Sequence, residues 1–324
     1  MILTEFLPPR PHPLWALARQ LGVTHAIVKA NPTLTGRNPP WDIDVLRDLQ
    51  RALAAEGLTL VGLEGDQFDM SRIKLGRDGR DEDIARYGRM LRNMGELGVG
   101  LLCYNFMAQI GWCRSGAEPT RGGALATRFR LADMPRSTPL GEVPAEAIWE
   151  NYTYFLRCVL PDAERAGVTM ALHPDDPPLP SLCGVGRIFH TPEAFDRALD
   201  LMPSPSNAIT FCQANFQLMG VDLEACIRRF GSRGKIAFVH VRDVRGTADD
   251  FVETFHDDGP TDMVAMFRLY HEVGFDGPLR CDHVPTMAGE GGDDAPVPGY
   301  GTLGRLFAVG YFKGIMDALG IPRR

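Results

Sequence analysis

A closed (β/α)8 barrel of the TIM-barrel type, built as a single domain over residues 1–324, is the fold the sequence predicts. Three observations point there. Short apolar runs alternate with longer segments of helical periodicity along the whole chain. Several runs, Leu58–Leu63 and Ile236–Val239 among them, are nearly unbroken in apolar residues, as strands covered on both faces must be. No G-x-G-x-x-G follows the first run and no P-loop occurs, so an open dinucleotide-binding sheet loses its main support.

The runs place strands at Ile2–Phe6, His25–Ala30, Thr59–Glu64, Gly100–Phe106, Val168–His173, Ala208–Gln213, Ile236–Arg242 and Pro278–Asp282. Eight strands separated by helices imply parallel pairing through right-handed crossovers, and eight such units favour closure. The helix Ile43–Glu56 carries its apolar stripe on Ile43, Leu46, Leu49 and Leu53, and Asp81–Leu97 on Ile84, Tyr87, Leu91 and Met94. Ala145–Ala166 does the same through Ile148, Tyr152, Phe155 and Val159. Thr191-Pro192-Glu193 reads as a helix start: a capping hydroxyl, a proline at the first helical position and an acid in the first turn. Gly274 stops the helix Met263–Val273, and Leu303–Leu319 ends the pattern. Two segments break the rhythm. Met107–Val143 is long and reads as an irregular excursion over the barrel mouth; Ala288–Tyr300, rich in Gly, Pro and Asp, reads as a lid.

The composition bounds the function. At 324 residues, with 44% hydrophobic and 23% charged residues, the chain suits one globular barrel. A net charge of -7 argues against nucleic acid as a partner while leaving room for a locally positive pocket and an anionic small molecule. The seven cysteines are scattered with no CxxC pair, which suggests a reducing, cytoplasmic setting. The first ten residues lack the features of a signal peptide, and no apolar run reaches the roughly 18 residues of a membrane span.

In such a barrel, chemistry gathers at the carboxyl ends of the strands. The fifth expected strand ends at His173, the sixth near Cys212, the seventh carries His240 and the eighth ends at Asp282. A lone His or Cys in such a place is more often packed or hydrogen-bonded than metal-bound. Two imidazoles, a thiolate and a carboxylate on four consecutive strand ends are harder to explain that way, and make a candidate site for Mn2+, Fe2+, Co2+ or Zn2+.

Longer strings carry a family resemblance. They include Ile73-Lys74-Leu75-Gly76, Cys103-Tyr104-Asn105-Phe106-Met107, Trp112-Cys113-Arg114 and His173-Pro174-Asp175-Asp176-Pro177-Pro178. Later come Thr210-Phe211-Cys212, His240-Val241-Arg242, Asp282-His283-Val284-Pro285-Thr286-Met287 and Pro298-Gly299-Tyr300. Across nearly its whole length the sequence resembles the mannonate dehydratase family, whose barrel is related to that of xylose isomerase. The resemblance implies loss of water from D-mannonate to give 2-dehydro-3-deoxy-D-gluconate. It implies a divalent metal, Mn2+ before Fe2+, Co2+ or Mg2+, on His173, Cys212, His240 and Asp282. It also implies acid/base work by His283 and Tyr300, and a homo-oligomer. The chain departs from the family pattern at Gln213-Ala214-Asn215, Asp243, Cys281 and Ala108-Gln109-Ile110-Gly111, around the pocket rather than in the ligand set.

The remaining candidates have two readings each. Arg242, Arg114 and Arg245 are candidates for gripping a substrate carboxylate, or form ion pairs. Asn105 binds a sugar hydroxyl or caps a turn, and Asp175 and Asp176 reach substrate, orient His173 or shape the turn. Glu253 and His256 line the mouth or are solvated. His283 and Tyr300 split the general-acid and general-base roles in an order the sequence leaves open, or else His283 steadies a metal ligand and Tyr300 belongs to the lid. Two rivals compete: a sugar isomerase or epimerase on the same barrel, which would keep the substrate's mass, and a non-catalytic sugar-acid binder, which would show no turnover.

Overall fold

The structure, a computed structural model, describes residues 1–290 and 298–323. Fourteen strands occur in it in chain order. The first seven are β1 (Ile2–Leu7), β2 (His25–Val28), β3 (Thr59–Glu64), β4 (Leu101–Tyr104), β5 (Gly116–Pro119), β6 (Leu125–Arg130) and β7 (Thr169–Leu172). The rest are β8 (Ser181–Leu182), β9 (Val185–Gly186), β10 (Asn207–Cys212), β11 (Ile236–Val241), β12 (Val244–Thr247), β13 (Asp250–Glu253) and β14 (Pro278–Cys281). Eight close into a parallel barrel in the ring order β1-β14-β11-β10-β7-β4-β3-β2. These are the eight strands read from the apolar runs. Six of them end one or two residues sooner than expected, because the chain turns outward at the mouth. Ladder-type hydrogen bonding still reaches the next residue in two places: the amide of His173 donates to Tyr104 O at 2.7 Å, and that of Asp282 to Val241 O at 3.1 Å.

Ile27, Leu101, Cys103, Ala171 and Phe238 fill the barrel interior, so it is a packed core and not a pore. A larger apolar layer lies between strands and helices, with Leu46, Leu91, Phe155, Phe195, Phe267 and Phe312 among its fully buried members. The helices obey the signals read in the sequence. Thr191 caps Pro192–Leu201 by accepting from the Ala194 amide at 3.3 Å. The helix Ala145–Ala166 ends on Gly167 at φ +66°, a left-handed position that suits a residue without a side chain.

The excursion 107–143 is more ordered than its composition suggested. It contributes β5 and β6, which join the β12–β13 hairpin in an antiparallel sheet of order β12-β13-β6-β5 over the barrel mouth. The stacked rings of Phe129 and Phe251 tie β6 to β13, and with Val244, Leu218 and Leu182 they form a second small core. These short strands mix charged and apolar residues, and the pairing that joins their two hairpins, β6 with β13, is long-range, so no local apolar run announces the sheet. The lid expected at 288–300 falls largely outside the described residues. All seven cysteines are free thiols, and among the described residues no helix is long and apolar enough to cross a membrane.

The helices Arg80–Glu96 and Ala145–Ala166 pack backbone to backbone at Gly95, where an added Cβ would lie 2.3 Å from Ala166 O. Gly95→Ala therefore destabilises the fold by about 1–3 kcal/mol. Denaturant unfolding of the variant reads this as a lower midpoint, and an unchanged midpoint contradicts the packing.

Candidate active site

The strands β7, β10, β11 and β14 are consecutive around the ring, so their carboxyl ends face one another across a short arc. Cys212 is the last residue of β10 and His240 the last but one of β11; His173 and Asp282 each follow their strand by one residue. One donor atom from each lies within 4.8 Å of the others. Cys212, His240 and Asp282 are buried, and His173 is half-buried at the edge of a cavity of about 850 Å³.

Three features test whether these residues suit a cation. Both ring nitrogens of His240 are buried without a hydrogen-bond partner, a state that costs about 1–3 kcal/mol if nothing fills it. Its nearest carboxylates, Glu64 and Asp282, stand 3.5 and 3.8 Å away, too far to satisfy it. His173 Nδ1 lies 2.7 Å from Pro174 O, which fixes the proton on that nitrogen and leaves Nε2 as a free lone pair. Burial pushes the Asp282 carboxyl up, but His283, Arg280, His240 and Arg242 outweigh it and hold Asp282 well below the usual carboxylate range. Arg280 donates to Asp282 Oδ1 at 3.0 Å and also pairs with Glu64, holding both carboxylates in place. The donor set is therefore two imidazoles, a cysteine sulfur and an ionised carboxylate, which fits a divalent ion.

Beside this cluster lies a buried ionic network. Glu253, the last residue of β13, accepts from Arg242 Nη2 and Arg114 Nη2, both at 2.7 Å. Its Oε1 is also 3.1 Å from His283 Nδ1. Asp176 accepts from Arg114 Nη1 and Arg242 Nη1, again at 2.7 Å each. Burial raises the Glu253 carboxyl, yet Arg242, Arg114 and His283 together bring it down to about 2. Asp176 is held well below its ordinary range by the same two guanidiniums. The His283 ring meets Tyr300 edge-on at 5.2 Å and Trp112 at 5.1 Å. Burial, reinforced by the nearby Asp282 charge, pushes the Tyr300 phenol up, so it keeps its proton.

The structure brings together His173, Cys212, His240, Asp282, His283 and Tyr300 as expected, and it redistributes the substrate-binding candidates. Asn105 lines the cavity; its Oδ1 accepts from Lys74 Nζ at 2.9 Å and from the Met107 amide at 3.1 Å. Arg242 and Arg114 are not open to a substrate carboxylate. Arg242 is fully buried, and both guanidiniums are taken up by Asp176 and Glu253. Asp175 is turned away from the cavity, accepting from the Phe189 amide at 2.8 Å, while its neighbour Asp176 reaches the site. Arg245 pairs with Asp258 in an exposed position. His256 neither lines the mouth nor meets solvent: it is buried, donates to Val241 O at 2.8 Å, and burial lowers it to about 4. Sequence reasoning missed the role of Glu253, and it missed Glu64 and Lys29 altogether; the signal for the last two was their place at the ends of the third and second strands.

The family model of D-mannonate dehydratase (UxuA) matches residues 15–141 and 138–322. The chain belongs to the mannonate dehydratase family. Mannonate dehydratase 2 of Halalkalibacterium halodurans is 34% identical over 309 residues, which cover 86% of this chain and 88% of that protein. Mannonate dehydratase of Streptococcus equi subsp. zooepidemicus is 32% identical, covering 86% and 83%. The crystal structure of mannonate dehydratase from Streptococcus suis serotype 2 superposes with a TM-score of 0.88 at 30% identity, covering 100% of this chain and 97% of that one. D-psicose 3-epimerase from Clostridium cellulolyticum H10 superposes at 0.62 with 14% identity, covering 98% and 99%, which speaks for a shared barrel alone. Family membership of this kind implies a divalent metal, and the four strand-end donors are the residues here that suit one.

Because Arg242 is held between Asp176 and Glu253, Arg242→Ala leaves Arg114 as the one guanidinium facing two buried carboxylates, and the excess negative charge costs about 3–5 kcal/mol. Urea denaturation measures this. A variant of wild-type stability with only a raised KM would mean that Arg242 faces substrate instead.

Proposed function

We propose that this protein is a metal-dependent dehydratase of a mannonate-type sugar acid, with D-mannonate converted to 2-dehydro-3-deoxy-D-gluconate as the reference reaction. The observation that carries the reading is the adjacency of a four-donor cation site and a histidine whose inner nitrogen is engaged by a buried carboxylate. His173, Cys212, His240 and Asp282 would hold the ion; the family resemblance favours Mn2+, and the mixed N, S and O donors equally suit Fe2+, Co2+ or Zn2+. When bound, the metal supplies Lewis-acid stabilisation for the negative charge that develops on the substrate's carboxylate end.

The other steps belong to side chains of the chain. Glu253 takes the Nδ1 proton of His283 as a hydrogen bond, which leaves Nε2 as the lone pair that removes the C2 proton. The arginine pair keeps Glu253 ionised, so this orientation persists. Tyr300 retains its proton and stands against the His283 ring, a position from which it protonates the departing C3 hydroxyl. Trp112 covers His283 from the excursion side and limits water at that face. Asn105 offers its amide to a sugar hydroxyl. We read the chain as one domain, and its seven free thiols favour a cytoplasmic setting, where a homo-oligomer is in keeping with the family resemblance.

A keto-acid assay on chelator-stripped protein, with and without Mn2+ and with D-mannonate and D-gluconate, tests this. Product appears from mannonate only with metal, with the mass of one water lost. His283→Ala lowers kcat by roughly 10²-fold or more, and His173→Ala abolishes the metal response. A product of unchanged mass would mean isomerisation or epimerisation, and no product from any sugar acid would point to a binding protein.

A further inference from the structure

The cavity is larger than the cation site needs, and its far wall has its own chemistry. The ring order puts β2 opposite β10 and β1 opposite β7. Residues that follow β1 and β2 therefore stand across the mouth from Cys212 and His173. Two of them, Arg10 and Lys29, line the cavity.

These two cations differ from the others around them. Arg305, the third arginine or lysine lining the cavity, is bound to Glu5 at 3.2 Å. Arg280, Arg114 and Arg242, which surround the cation site, are each taken up by carboxylates. Asp66, a loop acid that also lines the cavity, is held by Lys74 at 2.7 Å. Among the described residues, Arg10 and Lys29 have no carboxylate partner.

Lys29 is also seated. Its Cδ, Cε and Nζ run along Gly65, 3.6–3.7 Å from where a Cβ on that residue would sit. Gly65 has φ +78°, a left-handed turn that glycine permits, and the lysine stem packs against it at van der Waals distance. A half-buried ammonium without a counter-charge is costly, whereas one that meets a ligand anion forms a strong charge-assisted hydrogen bond.

Taking the dehydratase reading as its basis, we infer that Lys29, assisted by Arg10, binds a second anionic group at the C6 end of the substrate. If the C1 carboxylate lies at the cation site, the opposite wall meets the other end of a six-carbon chain. A hydroxyl there would leave the ammonium unpaired, and a terminal carboxylate or phosphate would pair it. The preferred substrate is accordingly a sugar acid of mannonate configuration with a charged terminus.

The test compares kcat/KM of the Mn2+-loaded enzyme for D-mannonate, its 6-phosphate and the corresponding 1,6-dicarboxylate. The wild type favours at least one doubly charged acid over mannonate by about tenfold or more. Which arm wins tells phosphate from carboxylate. In Lys29→Met the preference collapses toward unity, and Arg10→Gln reduces it partially. Equilibrium binding of the same three acids to His283→Gln protein shows the same order without turnover. Equal losses with all three acids in Lys29→Met, or no preference in the wild type while mannonate is still dehydrated, overturns the inference and leaves the dehydratase reading standing. No turnover of any of the three overturns both.

Discussion

The Arg242 guanidinium, fully buried between Glu253 and Asp176, is the interaction on which the rest of the site depends. It comes from the end of a barrel strand and joins three separate pieces of chain. Glu253 belongs to the hairpin over the mouth, and Asp176 to the turn after His173. Through these carboxylates Arg242 is coupled to Arg114 of the excursion. Two positive and two negative groups cancel there, so the network adds little net charge beside the cation site. A single deletion from such an arrangement is costly, because it leaves an unpaired charge where water does not enter. The same network reaches His283 through Glu253, which links the integrity of the mouth to the orientation of the proposed base.

The barrel was legible because its strands are buried on both faces and its helices keep a regular apolar stripe. The four donors were legible for a related reason: a barrel puts its chemistry at strand ends, and these four residues stand at or beside consecutive ends. Tyr300 was legible through the family resemblance alone, since it follows no strand end. Which reading the arginines follow, and with which partners, was not legible for a physical reason. Arg114 is 139 residues from Glu253 and 62 from Asp176, and no local pattern foretells pairing at that range. Asp175 and Asp176 show the limit at its sharpest. They are neighbours of identical chemistry, and only the path of the turn sends one into the core and the other into the site. The mouth sheet was hidden because its strands are short and partly exposed, held by pairing between segments more than a hundred residues apart.

The mouth divides into two arcs with different tasks. The arc β7-β10-β11-β14 carries the candidate cation donors and the proposed proton-transfer groups, backed by paired arginines. The arc β1-β2-β3-β4 offers Arg10, Lys29 and Asn105 to whatever occupies the cavity. Loops at the strand ends can vary without disturbing the packed core, so a barrel can alter what it accepts and keep its fold.

The central claim is that four strand ends hold one divalent ion, with the Cys212 thiolate among its ligands. Optical spectroscopy of the Co2+-substituted protein tests this most directly, since a cobalt–thiolate bond gives a charge-transfer band that imidazole and carboxylate ligands do not. The account predicts such a band at one ion per chain in the wild type, and its loss in Cys212→Ser with the fold intact by circular dichroism. A band that survives in Cys212→Ser, or a wild type that binds no ion and is fully active after chelation, would contradict it.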